Sequence, residues 1–447
     1  MTEAFEEALA ERLSTVFGAG CVFTDVGRLT GGASRETWSI RTKPTPGVPP
    51  ELILRRDPPG REDPERMAME AAAFVEAGRV GVPVPVVLDS SGDDSLPGVG
   101  SYLVMSRLAG EARPQRLLRA ERFESVRARL PYDLGRTLAM LHRMDPSAVP
   151  GLPDRDPMEF LREQYALTGG PLPALEAAFL SLSANRPPSS RKSFVHGDFR
   201  NGNILIDEHG IQGVLDWELA HLGDPMEDLG WLCTKTWRFG SPHPVGGFGS
   251  REDLFSGYAD ESGVAPDPNV VHWWEVFGSL RWAVICRMQA ARAAAGGDNV
   301  LELLAIGRRV AECEHDLLDL LGVAASPDDA PSTTNEPDDE LFGGPRAGEL
   351  LRAVRDFVID AASGADDRNA YRARVAAHVL GIAARESEVG YGTREELRAR
   401  LASLGYRSET ELALGLRAGV ITIGEAPVAG VIRALAGTRL KVANPRY

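Results

Sequence analysis

An aspartate in a short polar turn, an amide five residues on and a second aspartate beyond a hairpin are the groups of this chain best suited to chemistry: Asp198, Asn203 and Asp216. They lie in a stretch that runs from Ser193 to Ile206 through His196-Gly197-Asp198, followed at short range by Leu215-Asp216-Trp217-Glu218. One carboxylate to take a proton and two further side-chain oxygens for magnesium are the parts of a phosphoryl-transfer centre, where catalysis is mostly positioning and charge neutralisation. Other elements must hold those groups in place.

The apolar runs at 204–206 and 214–215 predict two strands joined by the turn Asp207-Glu208-His209-Gly210. That hairpin sets Asn203 and Asp216 at neighbouring strand ends, where two oxygens can share a metal. Residues 221–229 then lead into a helix. Upstream, residues 21–29 and 36–41 predict strands around Thr30-Gly31-Gly32-Ala33-Ser34-Arg35. A loop carrying Gly31, Gly32 and Ser34 lets backbone amides approach a phosphate, since no Cβ intervenes. A plain hairpin carries the same glycine pair.

A third strand, 51–56, alternates Ile53 and Arg55 against Leu54 and Arg56, so Arg55 is the candidate for a phosphate contact and Arg56 is left to solvent. Asp63-Pro64-Glu65 opens a helix with an N-cap, a proline at the first position and an acid in the first turn. Glu70 shares the apolar stripe of that helix with Met67, Ala71 and Phe74. Two readings fit it: a buried acid whose cation is Arg55, or an acid at the stripe's exposed edge. Strands over 82–88 and 101–108 complete five strands with one helix inserted after the third; adenine contact is expected at 104–108, with Met105 as the residue chosen.

From about 115 the pattern turns helical, with Leu134, Leu138 and Leu141 on one face of a helix that ends near His142. Helices are predicted over 270–296 and 300–321, and Trp273, Trp274, Phe277 and Trp282 are assigned to the core or, in part, to a cleft wall. Residues 322–344, acidic and poor in large apolar side chains, read as a flexible linker. Beyond it, 345–447 predicts a separate helical domain with stripes at Leu350, Leu351, Val354 and Val358, at Val375, Val379 and Ile382, and at Leu397 and Leu401.

A length of 447 residues predicts two or three domains, and 43% hydrophobic with 25% charged residues is a globular composition. The net charge of -15 argues against nucleic acid as a partner. Cys21, Cys233, Cys286 and Cys313 form no paired motif and fit free thiols in a reducing cytosol. Residues 1–18 form an acidic amphipathic segment without the basic and apolar regions of a secretory leader. No window reaches the roughly 18 uncharged apolar residues of a membrane span, so a cytoplasmic protein with no membrane partner is expected.

With these residues in hand, the chain from about 20 to 320 resembles the aminoglycoside and choline kinase-like phosphotransferases, and most of all the branch related to the kinase half fused to some acyl-CoA dehydrogenases. The resemblance rests on His196-x-Asp198-x4-Asn203, on Asp216 in Leu-Asp-Trp-Glu, and on Gly223-Asp224-Pro225-x2-Asp228, preceded by the glycine loop, the basic strand and the helix glutamate. It implies an α+β, bilobal protein-kinase-like fold: a five-stranded antiparallel nucleotide-binding N-lobe over 1–110 and a mainly helical C-lobe over 111–321, with a small all-α domain at the C-terminus. It implies ATP and Mg2+, with Asp198 accepting or orienting the proton of a substrate hydroxyl and Asn203 and Asp216 holding the metal. His196 becomes a structural member of the loop, and Asp228 ties the loop down from its helix.

Two departures stand out. Arg55 occupies the strand position where many kinases have lysine, and a planar fork is not a point charge. Arg200 follows Asp198 by two residues, where eukaryotic-type protein kinases have a lysine on the transferred phosphoryl; the same role and a plain surface charge both fit. The tail resembles a small bacterial family of unassigned function that ends in a similar Asn-Pro-Arg-Tyr, which names no chemistry. The implied activity is an ATP-dependent kinase acting on the hydroxyl of a small molecule, a hydroxyacyl-thioester-like metabolite before an aminoglycoside. The rival is a nucleotide-binding pseudokinase whose tail recruits a partner.

Overall fold

The computed structural model describes residues 3–29, 35–58, 60, 62–91, 100–188, 191–294, 300–324, 347–363, 367–389 and 391–447. The chain divides into two compact units, residues 1–155 with 188–275 and residues 156–187 with 276–447.

The first unit opens with helix α1 (Glu3–Phe17) and five strands, β1 (Phe23–Leu29), β2 (Glu36–Thr42), β3 (Glu51–Arg56), β4 (Val87–Ser90) and β5 (Tyr102–Ser106), with helix α2 (Pro64–Arg79) inserted after the third. They form one antiparallel sheet in the order β1-β2-β3-β5-β4. Alternation along β3 decides what its two arginines meet. Leu52 and Leu54 point into a core with Phe5, Leu9 and Leu13 of α1, while Ile53 lies against the core that holds Met67 and Phe74 of α2. Arg55 shares the α2 face and Arg56 the α1 face. Arg56 is therefore not solvated as expected: it pairs with Glu36 at 2.7 Å, and its guanidinium lies over the Phe5 ring at 4.8 Å.

Helix α2 starts as its sequence requires. The Asp63 carboxylate accepts from the Arg66 N–H at 3.0 Å, and Pro64 takes the first helical position, where a missing N–H costs nothing. Its buried face carries Met67, Glu70, Ala71 and Phe74. The strand expected from residue 82 begins only at Val87. Pro83 and Pro85 have no N–H for a ladder, and the Pro83 carbonyl instead accepts from the Val214 N–H at 2.8 Å.

Short helices α3 (Pro114–Arg119) and α4 (Glu124–Arg127) lead into α5 (Leu130–Leu141), whose Leu134, Leu138 and Leu141 are fully buried. Strands β6 (Ser193–Val195), β7 (Ile204–Asp207), β8 (Gly210–Val214) and β9 (His221–Gly223) follow in this unit, then helices α8 (Met226–Cys233) and α9 (Arg251–Ser262). Strands β7 and β8 form the expected hairpin; the pairing of β6 with β9 had no local sequence signal. Helices α5 and α9 touch backbone to backbone. A Cβ on Gly135 would lie 2.0 Å from the Leu254 carbonyl oxygen, and one on Gly257 the same distance from that of Tyr132. Glycine at both positions brings the C-terminal end of α5 within reach of the catalytic-loop candidates.

The second unit contains α6 (Pro157–Ala166), α7 (Pro173–Ala184), the later turns of α10 (Pro268–Ala294), α11 (Val300–Arg308), α12 (Val310–Leu320), α13 (Ala347–Ala361), α14 (Asp367–Glu388), α15 (Tyr391–Ser403), α16 (Glu409–Arg417) and α17 (Ala426–Ala443). The single helix expected over 300–321 breaks between Arg308 and Val310. Buried carboxylates join its parts: Glu176 receives Arg162 at 2.8 Å and Arg417 at 2.6 Å, and Glu314 receives Arg439 at 2.5 Å. The terminal Asn-Pro-Arg-Tyr works as an anchor, with Asn444 donating to Glu312 at 3.0 Å and the Tyr447 hydroxyl to Asp316 at 2.5 Å. Leu350 and Val354, expected on an apolar stripe, are about half exposed at 53% and 50%, and Trp282, assigned to the core or a cleft wall, is partly buried. The expected linker lies outside the described residues from 325 onward. Among the described residues no helix is long and apolar enough to cross a membrane.

Candidate active site

Asp198 sits in the loop between β6 and β7, 8% exposed, with hydrogen-bond donors on both carboxylate oxygens. Oδ1 accepts from Trp231 Nε1 at 2.9 Å and from Arg200 Nε at 2.9 Å, and Oδ2 accepts from Asn203 Nδ2 at 2.6 Å. Oδ1 thus has both lone pairs occupied, and the second lone pair of Oδ2 is the one that faces further chemistry. Because the Asn203 nitrogen turns toward Asp198, its oxygen is the atom directed elsewhere. Arg200 also stacks over Trp237 at 4.4 Å, so it is held on two sides and is only 23% exposed. Its neighbour Asn201 is fully buried and donates to the Gly246 carbonyl at 3.0 Å.

The loop is pinned from α8. Asp228, fully buried, accepts from the His196 N–H at 2.8 Å and from the Gly197 N–H at 2.9 Å, and His142 at the end of α5 contacts it at 3.2 Å. The other His142 nitrogen meets the Tyr258 hydroxyl of α9 at 3.1 Å. Burial pushes the Asp228 carboxyl up, but the bond to His142, the electrostatic pull of His142 and His196 and the His196 amide outweigh it and hold the group below the usual carboxylate range. Gly197 has φ of 76°, and a Cβ there would sit 2.3 Å from the Leu219 carbonyl oxygen, so no other residue fits the turn.

His196 is a structural acceptor. Its Nδ1 takes the Asp198 N–H at 3.1 Å and its Nε2 meets the Leu215 carbonyl at 3.1 Å, which requires the neutral tautomer with the proton on Nε2. Full burial lowers its pKa, against the raising effect of Asp228, Asp198 and Asp216. The unfolded chain therefore binds the proton more readily, and this contribution to stability is present above the ordinary histidine pKa of about 6.5 and lost as pH falls below it. Unfolding free energy measured by denaturant should drop between about pH 7.5 and about pH 5.5 more in the native chain than in His196→Asn. Equal slopes would show that His196 does not bear on the acid limb.

Across the site, Asp216 adopts the left-handed conformation at φ of 65°, a backbone state that non-glycine residues hold only when the surroundings impose it. Trp217 imposes it. Its fully buried ring packs against Phe74 of α2, Phe194 of β6 and His196, and its Nε1 donates to the Val214 carbonyl at 3.2 Å. Leu215 N–H bonds to the Asn203 carbonyl at 2.8 Å and joins the two strand ends.

Arg55 reaches Asp216 Oδ1 at 3.1 Å and Glu70 Oε2 at 3.3 Å. Glu70 is fully buried and takes a second guanidinium, Arg35, which also bonds Asp57 at 2.8 Å. The structure thus chooses between the two readings of Glu70. Arg35, Asp57, His142, Trp217 and Trp231 were not singled out from sequence; Arg35, next to the glycine loop, was the one with a local cue. Gly31, Gly32 and Ser34 lie outside the described residues. Met105 is 3% exposed, paired in register with Ile53 and Val87, so its side chain belongs to the core.

Residues 25–265 match the family described as Phosphotransferase enzyme family, and residues 363–447 match a domain of unknown function, DUF6285. The chain is 27% identical over 288 residues to acyl-CoA dehydrogenase family member 10 of Mus musculus, covering 59% of this chain and 26% of that one. It is 26% identical over 254 residues to acyl-CoA dehydrogenase family member 11 of Homo sapiens, covering 52% and 32%. It therefore spans only about a quarter to a third of the length of these curated relatives. Among solved structures, a Ralstonia eutropha protein provisionally described as an aminoglycoside phosphotransferase superposes with a TM-score of 0.56 at 23% identity, over 72% of this chain and 99% of that one. At that identity the likeness speaks for the fold.

Proposed function

We infer, because this chain belongs to the phosphotransferase enzyme family, that it transfers the γ-phosphoryl group of ATP to a hydroxyl of a small metabolite. The observation that carries this is the carboxylate of Asp198, whose Oδ1 is filled by Trp231 and Arg200 while Oδ2 keeps one lone pair beyond its bond to Asn203. A hydroxyl donating to Oδ2 is held with its oxygen toward the phosphoryl group, and its proton passes to Oδ2 as the oxygen attacks. Arg200 orients the carboxylate and adds positive charge where phosphoryl oxygens gather.

The donor set fits magnesium. Asn203 and Asp216 offer hard oxygens at joined strand ends, and among the described residues no cluster of three His, Cys, Asp or Glu side chains offers a softer or fuller cage. Magnesium there would neutralise charge on the phosphate oxygens. Residues 1–110 serve as the nucleotide lobe and 111–321 as the catalytic lobe, followed by a linker over 322–344 and an accessory helical domain over 345–447. The curated relatives join a similar segment to an acyl-CoA dehydrogenase name, which favours a hydroxyacyl-thioester-like acceptor over an aminoglycoside.

Arg55, positioned by Glu70, contacts the ATP phosphates. Replacing it with alanine should weaken binding of magnesium-ATP by about 1.5–3 kcal/mol, the worth of a charge-assisted hydrogen bond, in a calorimetric titration. Unchanged affinity would remove Arg55 from the nucleotide site. The Arg55–Asp216 pair also favours a second reading, a pseudokinase that binds nucleotide with its metal ligand engaged by an arginine. Magnesium-dependent ATP turnover against a panel of hydroxy metabolites separates the two: tight ATP binding without turnover on any acceptor would leave the pseudokinase.

A further inference from the structure

A cavity of about 450 Å³ opens beside the catalytic loop of the first unit, and nothing in the reaction outlined above uses it. Its walls come from α3, α4 and the segment between α8 and α9. The catalytic loop contacts one of these walls, the segment between α8 and α9, and comes close to a second, α3. Arg200 stacks on Trp237, two residues before the lining residue Phe239. Asn201 donates to Gly246, next to the lining residue Gly247. A Cβ on Gly202 would lie 4.0 Å from Pro114, which precedes the lining residue Gln115.

The segment that forms one wall is tied by its own hydrogen bonds. Ser241 closes it with a bond from its hydroxyl to the Gly247 carbonyl at 2.8 Å, and the Gly246 N–H donates to the Leu232 carbonyl at 3.1 Å. Phe239 has φ of 49°, and among the described residues it and Asp216 are the two non-glycine residues with positive φ. Strained backbone of this kind collects where a protein must present a surface in one shape.

The chemistry of the lining is part cationic and part apolar. Leu118, Phe239 and Phe248 supply apolar lining, and Arg119, Arg127 and His243 line the same cavity. Arg127 spends one nitrogen on the carbonyls of Leu117 and Ala120, and among the described residues neither guanidinium is paired with a carboxylate. Glu124 is the single acid of the lining and is exposed. Two guanidiniums without a carboxylate partner against one exposed carboxylate favour an anion at the mouth, and a planar fork suits a carboxylate or a phosphate.

We propose that this cavity is the acceptor's second anchoring point and binds a terminal acidic group, carboxylate or phosphate, on a partly apolar molecule whose hydroxyl meets Asp198. The proposal rests on the kinase reading of the neighbouring loop and narrows its acceptor to an anion, which is the opposite of a polycationic aminoglycoside.

The probes are ω-hydroxycarboxylates, ω-hydroxyalkyl phosphates, the matching neutral amides and an aminoglycoside, titrated by calorimetry into the full chain with magnesium-ADP. Acidic probes should bind about tenfold or more tightly than the amides, and Arg119→Gln should remove that advantage while amide and magnesium-ADP affinities stay as in the native chain. Arg119 is chosen because it is exposed and its loss does not threaten folding, whereas Arg127 also caps helix carbonyls. Whichever acid binds more tightly names the acidic group. Amides binding as well as acids, tighter binding of the aminoglycoside, or an Arg119→Gln chain with native acid affinity would each overturn the proposal. With magnesium-ATP as donor in a parallel assay, acid binding that depends on Arg119 without phosphoryl transfer to any probe would leave the cavity assigned and the kinase reading wrong. Equal transfer rates to acids and amides would do the reverse.

Discussion

Asp198→Asn should lower kcat by about 10²–10⁴-fold while leaving magnesium-ATP affinity close to native, since positioned proton transfer is worth that much. This corresponds to about 3–5 kcal/mol of the barrier. The structure explains why so small a change should act so strongly. Trp231, Arg200 and Asn203 all aim N–H groups at this side chain, so an amide brings one more N–H into a ring of donors. It also removes the oxygen that would receive the proton. Loss of both turnover and ATP binding would mean that the residue shapes the nucleotide site and is not the base. A residual rate near native would put the base elsewhere.

The largest stability effect should come from Asp228→Ala, a substitution at a residue that is fully buried. Its two carboxylate oxygens satisfy the backbone N–H groups of His196 and Gly197 and contact His142. Removal strands three buried polar groups in one step, and breaking a buried charged network of this kind costs about 3–5 kcal/mol. Denaturant unfolding should show that loss directly. Because the amides freed are those of the turn that presents Asp198, any chain that still folds should also lose kcat. A stability change below about 1 kcal/mol would mean that water replaces the carboxylate and that the turn is held by the rest of its contacts.

The loop residues Asp198 and Asn203 and the neighbouring Asp216 could be picked out as candidates because their signals are local. A turn needs glycine at Gly197, and the spacing from Asp198 to Asn203 and on to Asp216 is set by a loop and a hairpin of defined length. Strand β3 and the start of α2 follow from period-two alternation and from a cap built of adjacent residues. Residues 82–86 misled because alternating valines read as a strand, while two prolines remove the donors a ladder needs. The pairing of β6 with β9 joins short segments far apart in the chain, which no periodicity can announce.

What the sequence determined by itself, then, is the set of chemical groups, their order and the local elements that carry them, because caps, turns and hydrophobic periods are short-range physics. Tertiary structure alone decided their partners. Arg56 looked solvated until α1 was seen to cover its face of the sheet, and Arg55 and Arg35 converge on Glu70 only because α2 packs beneath β3. Trp231 and Arg200 divide Asp198 Oδ1 between them, and His142 arrives from another helix to meet Asp228. Such contacts depend on which buried polar groups find one another once the chain has collapsed. Partner choice there is enforced by the cost of leaving any of them unpaired in a medium without water.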